Sequence, residues 1–349
     1  MFKYVSFLLI LLTAIPFVTA QEVTEAVDGV YYRTIGQANL RECPEVDCPL
    51  IRPYAGQALF EVEAIVAGDE LNDTTDWLEV NDFLSGQTGY MHSTLAEVFN
   101  PDAWMVAPIV PQVTETAREI YARGQELGNH YDRFSKVGDC QNVSSHFLSI
   151  FDDPQEYALG EFDSLQSTID HFGESWARES ASVDNGFNVA SVLSPLWSDP
   201  NVCEPGENPL ECEYRLNQPS IVIVSMETWW AQRPAEEYED YMRQIVEFWI
   251  DKGVVPILAT KADNLEGDYG LNRSVYRVAQ AYDVPMWNFW LSIQTLPGNG
   301  LSDDDFHLTF ARNFFDDPVR LQYSWPIRNL TALKAIDAVY QGLQVPQES

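Results

Sequence analysis

From residue 131 onward the chain alternates apolar runs of strand length with stretches whose apolar residues recur every three or four positions. The strand-like runs fall at 134–137, 220–225, 254–260 and 284–289, and helical periodicity covers 235–251 and 272–282. This alternation predicts an α/β domain, a mostly parallel sheet with helices on both faces. Sites in that architecture form at the carboxyl ends of strands, and Cys140, Thr228 and His307 all follow such ends. A helix is predicted just upstream, with Thr114 as its N-cap and Gly128 near its stop. Residues 28–98 read differently: short alternating runs broken by Gly, Pro, Asn and Asp predict a small β-barrel. Pro101, Pro108 and Pro111 mark 99–113 as a linker, so the large domain is expected over 114–345.

Residues 1–20 stand apart from both domains. Lys3 precedes an apolar run, and Val18-Thr19-Ala20 closes it with small residues, the pattern of a secretory signal peptide. The run is short and Pro16 interrupts it, which argues against a membrane anchor. The protein is therefore expected outside the cytoplasm. Its 20 basic and 53 acidic side chains give a formal net charge of −33. That balance excludes nucleic acid and anionic membranes as partners, because both need a basic footprint. Of the five Cys, Cys43 with Cys48 and Cys203 with Cys212 would each close a short loop in an oxidising compartment, leaving Cys140 alone. None of these spacings resembles a zinc site.

Cys140 lies in the turn Gly138-Asp139-Cys140, and Asp304-Asp305-Phe306-His307 lies near the end of the chain. A nucleophile at one end of a domain and Asp-x-x-His at the other is the logic of a hydrolase triad. The order resembles the SGNH (GDSL-type) hydrolases, with Cys140 where that family has Ser. The resemblance covers roughly residues 131–345 and implies a three-layer α/β/α flavodoxin-like domain. It assigns Cys140 as nucleophile, His307 as base and Asp304 as the carboxylate that orients it. The backbone N–H of Gly186, in Asn185-Gly186-Phe187, takes the place of the family's oxyanion glycine. By register Met226 replaces a second Gly, and Thr228 replaces the Asn whose amide holds the oxyanion. The early domain resembles a bacterial SH3-like domain through Asn39-Leu40-Arg41, Gly56-Gln57, Trp77-x-x-Val80 and Gly89-Tyr90-Met91-His92. Such domains resemble cell-wall or glycan targeting modules.

Two functions follow as expectations. One is a secreted ester hydrolase acting on an acyl group of an extracellular carbohydrate, without metal or organic cofactor. The other is a catalytically silent protein that keeps the cleft and binds a glycan or cell-wall polymer. Asp304-x-x-His307 favours the enzyme, and Met226-Glu227-Thr228 favours the silent protein. His146 is read as structural, and Ser144 and Ser145 as helix hydroxyls. Trp229-Trp230 is read as packing or as a sugar platform. The four Asn-x-Ser/Thr sequons carry no weight.

Overall fold

The computed structural model describes residues 23–143, 145–229 and 233–344. The proposed signal segment, Ser144 and Trp230 lie outside the described residues. Seven strands come first among the described residues: β1 (Val23–Thr34), β2 (Ala38–Arg41), β3 (Leu50–Tyr54), β4 (Leu59–Leu71), β5 (Thr74–Asp82), β6 (Gln87–His92) and β7 (Ala96–Phe99). They pair antiparallel in the order β3-β2-β6-β5-β4-β1-β7. Along β4, Phe60, Val62, Ala64 and Val66 are buried while Glu61 and Glu63 are exposed, the alternation of a sheet with one dry face.

The strands expected to form a small β-barrel make a curled half-barrel. β3 and β7 are edges that do not pair with each other, so the sheet is curled and open. The β3 side is capped by the large domain instead. Ala55 N donates to Thr295 O (3.3 Å), and Arg52 Nη2 donates to Thr295 Oγ1 (2.6 Å) while its guanidinium grips the buried Asp82 carboxylate. The stretch expected as a linker also packs. Trp104 and Met105 are buried against Leu59 and Trp290, and Asn288 Nδ2 donates to Trp104 O (2.9 Å).

The large domain holds α1 (Glu115–Leu127), β8 (His130–Gly138), β9 (Tyr157–Ala158), α2 (Gln166–His171), α3 (Pro209–Asn217), β10 (Pro219–Ser225), α4 (Ala235–Asp251), β11 (Val255–Ala259), α5 (Gly270–Tyr282), β12 (Met286–Trp287), α6 (Phe289–Ile293), β13 (Asn313–Phe314) and α7 (Ser324–Gln344). Thr114 Oγ1 caps α1 by accepting from Ala117 N, and Gly128 ends it at φ 90°. β12, β11, β10 and β8 form a parallel sheet in that order. Every residue of β10 is buried, which explains its unbroken apolar run: a parallel strand is covered on both faces. α4 turns Tyr238, Met242, Ile245, Val246 and Trp249 inward at helical spacing and packs on β11 and on α5. α1 and α7 pack on each other and on the sheet.

Cys43–Cys48 and Cys203–Cys212 are disulfides, and Cys140 is the free cysteine. Among the described residues no helix is long and apolar enough to cross a membrane.

Candidate active site

In-register pairing of β8 with β10 sets Gly138 beside Ser225, so the turns leaving both strands emerge together. Asp139 uses this proximity. Its Oδ2 accepts the backbone N–H groups of Glu227 (2.8 Å) and Thr228 (2.6 Å), and its Oδ1 accepts from Gln141 N (3.2 Å). Residues 140–142 form a single 3-10 turn that brings Asn142 back over Gly138. A Cβ on Gly138 would meet Asn142 Nδ2 at 2.1 Å, so the glycine is required by close approach. Asn142 Nδ2 in turn donates to Ser225 O (2.7 Å).

The other motif is brought in by a loop tied to the start of α7. Thr309 N donates to Gly300 O (3.0 Å), and Ser324 Oγ donates to the same oxygen. Within it, Asp304 Oδ1 accepts the N–H of His307 (2.9 Å) and of Phe306 (3.1 Å), while Oδ2 lies 2.5 Å from His307 Nδ1. These bonds hold the Asp304 carboxyl down to about 2. A carboxylate on Nδ1 keeps the proton there and leaves Nε2 as the basic nitrogen.

Cys140 and His307 line one cavity of about 410 Å³, together with Gln141, His146, Asn185 and Trp325. The remaining expected residues sit around it rather than in its wall. Asp304 reaches it only through His307. Gly186, at φ 82°, completes a turn closed by Phe187 N donating to Asp184 O (3.1 Å), next to the lining Asn185. Thr228 is fixed by its backbone bond to Asp139 and is not among the lining residues. A neighbouring cavity of about 490 Å³ shares Val143 and Ser145 with the first and carries Trp197, Phe187, Glu179 and Asp199.

The environment of Cys140 opposes ionisation. Burial, then the charges of Asp139 and Glu227, push its thiol up to about 11. At pH 7 roughly one thiol in ten thousand would then be thiolate. We therefore expect iodoacetamide to label Cys140 alone in the folded, unreduced protein, slowly at pH 7 and about tenfold faster per pH unit up to about 11. Mass mapping after alkylation over a pH series checks this. A rate that levels off near pH 7 would reveal an activated thiolate instead.

Two neighbours, Glu227 and Arg328, have a role that the sequence does not reveal. Glu227 and Arg328 are fully buried behind the turn and pair through Oε1 and Nη2 at 2.8 Å. Arg328 also donates to Ser225 Oγ (2.9 Å), and its guanidinium lies over the rings of Phe147, Phe289 and Trp287. Burial is the largest influence on Glu227 and raises it to about 7 despite Arg328. Its only sequence signal is a charge two residues after the end of a buried, largely apolar strand. His146, read as structural, is a wall of the cavity with its ring 5.6 Å from that of Trp325. Trp229 packs on Tyr238 and Tyr241.

No protein-family model matches the chain, and no curated protein matches it. Solved structures similar to it are GDSL-type lipases and esterases. A G-D-S-L family protein from Desulfitobacterium hafniense is 10% identical with a TM-score of 0.39, covering 58% of this chain and 98% of its own. A GDSL-like lipase from Bacteroides thetaiotaomicron is 12% identical at 0.38, covering 64% and 98%. An acetyl xylan esterase from Geobacillus stearothermophilus is 14% identical at 0.37, covering 62% and 97%. Likeness at this level assigns no chemistry to the chain.

Proposed function

We propose that the protein is a secreted SGNH-type ester hydrolase that removes an acyl group from an extracellular carbohydrate, with Cys140 as nucleophile. The observation that carries this reading is the shared cavity of Cys140 and His307, 167 positions apart in sequence, with Asp304 bound to Nδ1 of the imidazole. The thiol is neutral, so proton transfer accompanies attack. Cys140 Sγ bonds to the ester carbonyl carbon while His307 Nε2 takes the thiol proton. The backbone N–H of Cys140 receives the oxyanion, and that of Gly186, one residue beyond the lining Asn185, is the second donor that the family resemblance calls for. Collapse expels the alcohol, which takes the proton from Nε2, and leaves an acyl thioester on Cys140. Water, deprotonated by Nε2, then releases the acid and restores the thiol. The adjoining cavity with Trp197 and Phe187 offers room and an aromatic wall for a sugar. The early sheet, with its SH3-like sequence markers, would hold this unit to a wall polymer.

A second reading, a silent glycan-binding protein, is favoured by the raised thiol and by Thr228 standing where an amide donor is needed. Acetate release from a small activated acetyl ester separates the two. Wild type should exceed Cys140→Ala by at least about 10²-fold. Equal rates in the two would remove Cys140 as nucleophile. No rate above buffer, together with saturable glycan binding, would establish the silent protein.

A further inference from the structure

The polar side chains around the Gly138-Asp139-Cys140 turn are almost all committed. Asp139 holds three backbone N–H groups, and Asn142 spends its amide on Ser225 O and on Arg328. Behind the turn, Glu227 Oε2 and Arg328 Nε and Nη1 also lack partners among the described residues, but each of those groups is paired through another atom, whereas the Gln141 side chain is paired through none. Gln141 is 3% exposed and lines the cavity of Cys140 and His307, yet among the described residues neither its Oε1 nor its Nε2 has a hydrogen-bond partner. A buried amide left unpaired at both ends is strongly unfavourable, so such a group in a site marks a partner that arrives with the substrate. Its backbone N–H is held by Asp139, which sets Gln141 in the turn directly after the nucleophile.

We propose that Gln141 reads the alcohol side of the ester, and that the substrate class is a partly acylated vicinal diol. Nε2 donates to the acylated oxygen, and Oε1 accepts from the free hydroxyl on the neighbouring carbon. One amide carries one donor site and one acceptor site side by side, and a monoacylated diol presents the complementary pair. A fully acylated or isolated ester leaves Oε1 buried and unpaired. The inference rests on the hydrolase reading and adds to it the feature of the carbohydrate that is recognised.

The test compares ethylene glycol monoacetate with its methyl ether, which lacks only the donor hydrogen, on the full mature chain. Wild type should prefer the monoacetate in kcat/KM by about tenfold or more. In Gln141→Leu, or in Gln141→Met if the first variant folds poorly, the two esters should be cleaved within about twofold of each other. No preference in the wild type overturns the inference and needs no variant. A preference retained without Gln141, or an equal loss on both esters, overturns it as well, while the hydrolase reading stands. If neither ester is cleaved faster than by His307→Ala, the hydrolase reading itself fails and the inference falls with it.

Discussion

Arg328→Leu is expected to destabilise the protein by about 3–5 kcal/mol, because it leaves Glu227 as an uncompensated group in a dry interior. Arg328 is fully buried, and its Nη2 ties together Glu227, Ser225 and Asn142, the residues that hold the turn of Cys140 in place. Its loss also exposes the faces of Phe147, Trp287 and Phe289 to a void. Glu227 adds a pH signature. Its folded value of about 7 lies above the ordinary 4.5, so the native state holds the proton more tightly than the unfolded chain. The associated stability is complete below about pH 4.5 and is lost as pH rises through about 7, a change of about 3 kcal/mol. Urea unfolding of wild type and Glu227→Gln across pH 4 to 8 checks it. The difference between the two should shrink or reverse with rising pH, and a flat difference would contradict the burial of this carboxyl.

The second large effect is catalytic. His307→Ala should lower ester hydrolysis by about 10²–10⁴, since among the described residues nothing else on the cavity wall is arranged as a base with an oriented proton. His146 shares the wall, but its ring packs against Trp325 and has no carboxylate partner among the described residues. Because the Cys140 thiol is neutral, the loss should fall mainly on kcat and should narrow as pH approaches 11, where hydroxide ionises the thiol without help. Acetate release by wild type and His307→Ala over pH 6 to 10 measures both. A His307→Ala enzyme as fast as wild type at pH 7 would exclude His307 as the base.

The features legible in the sequence are those settled within a few residues. The helical spacing of Tyr238, Met242 and Ile245, the unbroken run of β10, and the cap pair Thr114 and Gly128 each depend on local geometry and on which face meets the core. Asp304 and His307 belong to this class too, because a turn of three residues is enough to bring the carboxylate to the ring. So do the two disulfides, whose partners lie five and nine positions apart.

What only the tertiary structure decided depends on how distant elements stack. The markers of a small β-barrel were present, but closing it requires β3 to find β7, and the segment of Thr295 occupies the β3 side of a curled half-barrel instead. Asp139 reads as part of a motif, yet its work is to bind the N–H groups of Glu227 and Thr228, which arrive only when β8 and β10 pair in register. Gln141 and Glu227 look like ordinary polar residues. They become a buried unpaired amide and a carboxyl raised to about 7 because helices and loops from elsewhere in the chain remove the water around them. Spacing along the chain fixes which residues can meet locally; burial, and with it the chemistry of Cys140, is set by everything packed around it.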